Sequence, residues 1–150
     1  MLFSSVLHSG TGTSCIYPLI GCSRNENWNF IATDVEEEII KYAQKNVEMN
    51  PEISDRIQII KNPDSTCIFP EELINSLDAN TTTSKFVLCN PPFYTDSIDL
   101  ESRRAFKRHK PTSGQWEMSQ EELGTELGGE IGFIKKMIQE SIGLNDKNIK

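Results

Sequence analysis

Four consecutive residues, Asn90-Pro91-Pro92-Phe93, bring together groups that could hold and activate an aromatic amine. The side-chain carbonyl of Asn90 and the main-chain carbonyl of Pro91 are two acceptors that can be aimed at one NH2 group. The prolines donate no N–H and fix their own φ angles, so the acceptors sit in a rigid peptide that need not reorganise during reaction. Phe93 adds a flat face on which a planar base could stack. An aromatic amine is a weak nucleophile because its lone pair is delocalised into the ring. Accepting both of its N–H hydrogens draws the nitrogen toward a tetrahedral shape and exposes that pair to a methyl donor. The competing reading of the same peptide is an Asn-Pro turn capping a strand.

Two further places carry chemistry. In "GTGTS" (residues 10–14), Gly10 and Gly12 allow a sharp turn and a close backbone approach to a ligand, and the helix starting near Ser14 offers free N–H groups. An ordinary strand-to-helix turn explains the same glycines. Asp34 follows about twenty residues later, where a carboxylate that accepts hydrogen bonds from both ribose hydroxyls is expected. An N-cap for a helix starting at Val35 is the alternative, and the two roles are compatible. The third glycine of G-x-G-x-x-G is missing, which favours a nucleoside-type cofactor such as S-adenosylmethionine over a dinucleotide.

These residues need a scaffold that delivers them to one place. Apolar runs at about Leu2 to Leu7, Asn27 to Asp34, Arg56 to Lys61 and Ser84 to Cys89 read as strands, the third with period-two alternation. Between them, helices are expected from about Ser14 to Gly21, with Pro18 as an awkward point, and across "EEEIIKYAQKNVEMN" (residues 36–50). In the latter, Ile39, Ile40, Ala43, Val47 and a final Met or Asn recur at helical spacing. Its acids cluster in the first turns, where the helix dipole favours them. A short helix at Glu71 to Leu77 and a last one from about Gly129 complete the pattern, after a long polar stretch from Tyr94 to about Thr125. Strands alternating with helices predict an α/β fold: a parallel sheet wound on both faces, with ligands at the carboxyl ends of its strands. All three chemical places fall at such ends.

Composition narrows the partners. The 150 residues suffice for one ordinary domain. A formal net charge of −7 argues mildly against nucleic acid, which attracts basic proteins. The run "ESRRAFKRHK" (residues 101–110) is the local exception. Arg103, Arg104, Lys107, Arg108 and Lys110 interleave with Phe106 and His109, as a phosphate-neutralising and stacking RNA contact would require. A solvated loop is the equal alternative, and His109 has no assigned catalytic role. Cys15, Cys22, Cys67 and Cys89 form no C-x-x-C pair, so neither a metal site nor a disulfide framework is expected, and a reducing intracellular compartment is. No run approaches a membrane span, and the N-terminus lacks the basic flank of a signal peptide.

Taken in order, "GTGTSCIYPLIG", "ATDVEEEIIKYAQKNVEMN", "CNPPFY" and "GGEIGFIKKMIQES" resemble the adenine-N6 RNA methyltransferase family of methyltransferase-like protein 16 and the bacterial ribosomal large-subunit RNA methyltransferase F. The Cys-Ile-Tyr-Pro-Leu run makes this likeness more specific than any cofactor motif alone. It implies a Rossmann-like methyltransferase domain that methylates the exocyclic N6 amine of adenosine in small nuclear, messenger or ribosomal RNA, in the nucleus or the cytoplasm. By matching positions it implies cofactor contacts at Gly10, Gly12, Ser14, Asp34, Thr66 and Asn90, with Gly10 at the amino-acid end and Thr66 near the adenine ring. It implies catalysis by Asn90, Pro91, Pro92 and Phe93, and it puts Gly128-Gly129-Glu130 beside the active site.

There are departures. His8-Ser9 stand where the family motif has Asp-Ile, an acid that steadies the glycine loop and the cofactor's ammonium group. The family's N-terminal RNA-binding segment, with a cofactor-contacting arginine, would precede Met1, and about three more strands would follow Lys150. The expectation is therefore one methyltransferase domain over residues 1–150, incomplete at both ends, with about four parallel strands and strand four as an edge. Two other readings compete: a non-catalytic RNA-binding remnant of the same fold, and methylation of another amide or amine such as a protein glutamine.

Overall fold

A computed structural model describes residues 4–76, 85–92, 127–142 and 144. Strand β1 (Ser4–Ser9) enters the centre of a four-stranded sheet of order β3-β2-β1-β4, with β2 at Trp28–Asp34, β3 at Ile57–Lys61 and β4 at Lys85–Cys89. All three strand pairs are parallel. This is the expected parallel α/β sheet, and among the described residues β4 is an edge strand.

Alternation along the strands splits the core between two faces. Val6, Phe30, Ala32 and Ile57 meet helices α1 (Ile16–Arg24) and α2 (Glu37–Glu48) through Cys15, Cys22, Ala43 and Val47. Leu7 and Ile31 point the other way, toward Ile68, Phe69, Leu73 of α3 (Glu71–Ser76) and Leu144, with Phe133 and Met137 of α4 (Gly129–Ile142) packed alongside. Each strand is thus apolar on both sides, as parallel strands covered by helices must be.

The helix boundaries follow local chemistry. Pro18 is the third residue of α1, inside the first turn, where its missing N–H has no intrahelical acceptor to lose. The stripe Ile39, Ile40, Ala43 and Val47 is buried as spaced, and Glu37 and Glu38 occupy the first turn of α2. Its end differs from the expectation: Met49 is exposed, and Asn50 closes the helix by donating from its side chain to the Asn46 carbonyl at 2.8 Å. The alternation expected of β3 holds at Ile57 and Gln58 but lapses at Ile59 and Ile60, both half-buried, since both faces of this strand carry helices. Arg56 belongs to a 3-10 turn (Ser54–Arg56) ahead of β3. Its guanidinium donates to the carbonyls of Asn25 (2.8 Å) and Trp28 (3.2 Å) through Nη1, and to that of Cys22 (2.8 Å) through Nη2, tying the end of α1 to the start of β2.

Candidate active site

The loop after β1 is shaped by three left-handed residues, Gly10 (φ 71°), Gly12 (φ 63°) and Cys15 (φ 50°). Glycine takes this conformation at no steric cost, whereas a residue with a Cβ is strained there. Cys15 is buried and receives the Thr11 hydroxyl at its sulfur, 3.4 Å away. The Thr11 N–H extends the sheet by donating to the Thr33 carbonyl at 2.8 Å. Beyond it the Gly12 N–H donates to Asp34 Oδ2 at 3.0 Å, and Asn46 of α2 donates to the Thr13 carbonyl at 2.9 Å. A methyl group on Gly10 or Gly12 would meet no atom within 4 Å, so this loop borders open space of the kind a nucleoside cofactor needs.

Asp34 has a role that neither sequence reading contained. Helix α2 starts at Glu37, and its cap position, Glu36, makes no side-chain cap bond. The Asp34 carboxylate instead accepts the N–H groups of Val35 (2.9 Å) and Glu36 (3.4 Å) through Oδ1, while Oδ2 holds Gly12. It braces the glycine loop from the neighbouring strand end.

After β3, the Asn62 N–H donates to the Asp34 carbonyl at 2.8 Å, and its side chain donates to the Cys67 carbonyl at 2.6 Å. Asp64 Oδ1 accepts both the N–H (2.8 Å) and the hydroxyl (2.6 Å) of Thr66. Those bonds from Thr66 hold the Asp64 carboxyl below the usual range. Thr66 itself is exposed, in the loop at the carboxyl end of β3.

Register brings the remaining motif alongside. Ser9 pairs with both Thr33 and Cys89, so Gly10, Asp34 and Asn90 leave the sheet side by side. Asn90 is exposed, and Pro91 and Pro92 are half-buried. Burial pushes the Cys89 thiol up to about 12, which leaves it without thiolate character at neutral pH. Gly128 (φ 79°) and Gly129 (φ 73°) set the entry to α4. Phe93 and the basic run Arg103, Arg104, Lys107, Arg108 and Lys110 lie outside the described residues.

His8 lies beneath this edge, in register with Ala32 and Leu88. It is fully buried, and among the described residues neither ring nitrogen has a hydrogen-bond partner. Its ring meets Tyr17 edge to face at 5.2 Å. Burial lowers its pKa to about 4, so a neutral imidazole occupies the place where the family motif has an acid.

Two supporting residues carry no motif: Asn46, and Glu140 of α4, whose carboxylate accepts the N–H groups of Ile68 and Phe69. The available signals were weak ones: an asparagine inside a helix, which helices disfavour, and an anion in the last turn of α4, where the helix dipole opposes it. Among the described residues no group of three or more His, Cys, Asp or Glu could hold a metal ion, and no helix is long and apolar enough to cross a membrane.

Comparison with known proteins places this geometry in context. A family model described as RNA methyltransferase matches residues 3–149. The chain is 34% identical over 148 residues to the human RNA N(6)-adenosine-methyltransferase METTL16, covering 92% of this chain and 24% of that protein. It is 34% identical over 145 residues to the ribosomal RNA large subunit methyltransferase F of Desulfotalea psychrophila, covering 91% and 45%. The human METTL16 catalytic domain, solved in complex with a MAT2A 3′UTR hairpin, superposes with a TM-score of 0.68 at 33% identity, over 98% of this chain and 48% of that one. The N-terminal domain of human METTL16 in complex with SAH gives 0.58 at 31% identity, over 100% and 44%. The chain thus spans less than half the length of each of these relatives.

Proposed function

The chain belongs to this family of RNA methyltransferases, and on that premise we infer that it carries the cofactor-binding and catalytic half of an adenine-N6 RNA methyltransferase domain. The observation that supports this most is the register that sets Gly10, Asp34 and Asn90-Pro91-Pro92 at one sheet edge, beside the loop of Thr66. The open space over Gly10 and Gly12, with a carboxylate next to it, fits S-adenosylmethionine. When bound, that cofactor supplies an electrophilic methyl group on a sulfonium.

In this reading Gly10, Gly12 and Ser14 seat the amino-acid end, Asp34 accepts the ribose hydroxyls, and Thr66 lies beside the adenine ring. The Asn90 side-chain carbonyl and the Pro91 carbonyl accept the two N–H hydrogens of the target amine, Pro92 keeps them rigid, and Phe93 stacks on the base. Methyl transfer from the bound cofactor to this nitrogen would leave the amine one proton to lose, which solvent can take. Arg103, Arg104, Lys107, Arg108 and Lys110 take RNA phosphates. A protein acting on small nuclear, messenger or ribosomal RNA would work in the nucleus or the cytoplasm.

A second reading, an RNA-binding protein of this fold without turnover, draws on one observation: the neutral buried His8 in place of an acid. Calorimetric titration of S-adenosylmethionine separates the two. The enzyme reading expects saturable binding, followed by methyl transfer to an adenosine-bearing RNA hairpin that Asn90→Ala reduces at least about 100-fold. A chain with native circular dichroism and no detectable heat is the remnant, and undiminished transfer by Asn90→Ala refutes the role given to the motif.

A further inference from the structure

Glu140 lies in the last turn of α4, at the end of a helix whose dipole repels an anion. What compensates that placement comes from far away in the chain. Its Oε2 accepts the N–H groups of Ile68 at 2.9 Å and Phe69 at 2.8 Å, with the Cys67 sulfur 3.8 Å away. Its Oε1 pairs with Lys136, one turn back, at 3.2 Å. Ile68 and Phe69 are buried, so without this carboxylate their N–H groups would lack an acceptor in a place water does not reach.

The segment that Glu140 grips is already stiff. Asn62 closes it through the Cys67 carbonyl, and Asp64 holds Thr66 by two bonds. Such a loop moves as one piece, so the place where its far end is fastened decides where Thr66 stands at the ligand edge. That fastening is Glu140, which grips the loop at Ile68 and Phe69, two and three residues beyond Thr66.

We propose that Glu140 is a positioning residue for the cofactor, acting through the 66–69 segment to hold Thr66 against the adenosyl group. This rests on the reading of the sheet edge as an S-adenosylmethionine site. It also ties the helix entered through Gly128-Gly129 to the loop after β3, so one carboxylate aligns two walls of the site.

The test compares S-adenosylhomocysteine binding, by calorimetry below the unfolding range, among the unaltered chain, Glu140→Ala, Glu140→Gln and Leu144→Ala. Glu140→Ala weakens binding about tenfold, and the Ile68 and Phe69 amides exchange faster with solvent. Glu140→Gln, whose amide oxygen still accepts, stays within about threefold of the unaltered chain. Leu144→Ala loosens the same apolar layer without removing an acceptor, and it retains the affinity. Equal affinity in Glu140→Ala and the unaltered chain overturns the proposal, as does an equal loss in the alanine and glutamine variants or in Leu144→Ala. An unaltered chain that binds no S-adenosylhomocysteine overturns the cofactor reading itself, an outcome distinct from these.

Discussion

The two loops at the carboxyl ends of β1 and β3 are held in opposite ways. The glycine loop is braced by Asp34 and Asn46, which lie 22 and 33 residues from the groups they hold. The loop after β3 is fastened by Glu140, 71 to 73 residues from its partners. The first brace closes within β1, β2 and α2, so this part of the site is shaped as soon as those elements pack. The second closes only when α4 docks on the far face of the sheet. A sheet edge built this way has one loop fixed by its neighbours and one set by a distant helix.

The largest effect should come from breaking the fixed loop. Asp34→Ala strands the N–H groups of Gly12, Val35 and Glu36, and is expected to cost roughly 3–4 kcal/mol of stability, read by urea unfolding. S-adenosylhomocysteine affinity should fall more than in Glu140→Ala. A smaller loss than in Glu140→Ala would reverse the comparison. Protonating His8 under the same loop comes next. Its folded pKa, about 4, is lower than the ordinary 6.5, so the unfolded chain binds the extra proton first. The stability of the neutral form is fully present above pH 6.5 and is lost as pH falls toward 4, by about 3 kcal/mol. His8→Leu should lose much less over the same range, and parallel pH curves for the two chains would rule this out. Asn46→Ala, which frees the Thr13 carbonyl, should cost about 1 kcal/mol and about fivefold in cofactor affinity. No change in affinity would mean that Asp34 alone holds the loop.

Much of this architecture is readable from residue spacing. The stripe Ile39, Ile40, Ala43, Val47 is buried as its period demands, and each strand occurs within two residues of its apolar run. The Asn90-Pro91-Pro92 peptide follows β4 directly, at the carboxyl end of the strand, where its prolines were expected to stop the strand. Strand order was not readable. That β4 lies beside β1, and so Asn90 beside Gly10, depends on a crossover that local pattern does not encode. Nor were the braces. Asp34 as a support for Gly12, and Glu140 as an acceptor for Ile68 and Phe69, are contacts between residues whose own neighbourhoods give no sign of the partner. The left-handed Cys15 was equally hidden, because a buried cysteine ordinarily signals packing and not backbone geometry.

Arg56 lies at the opposite end of the strands from all this chemistry, its guanidinium spread over the carbonyls of Cys22, Asn25 and Trp28. The backbone carbonyls that accept these bonds do not titrate, whereas the imidazole of His8 takes up a proton in acid. Acid therefore acts on this sheet asymmetrically, loosening the rim at its carboxyl ends while its base stays fastened. Acid inactivation should proceed like a bud opening from the tip, with protection against hydrogen exchange disappearing first around Ser9 and Gly10 and last around Trp28.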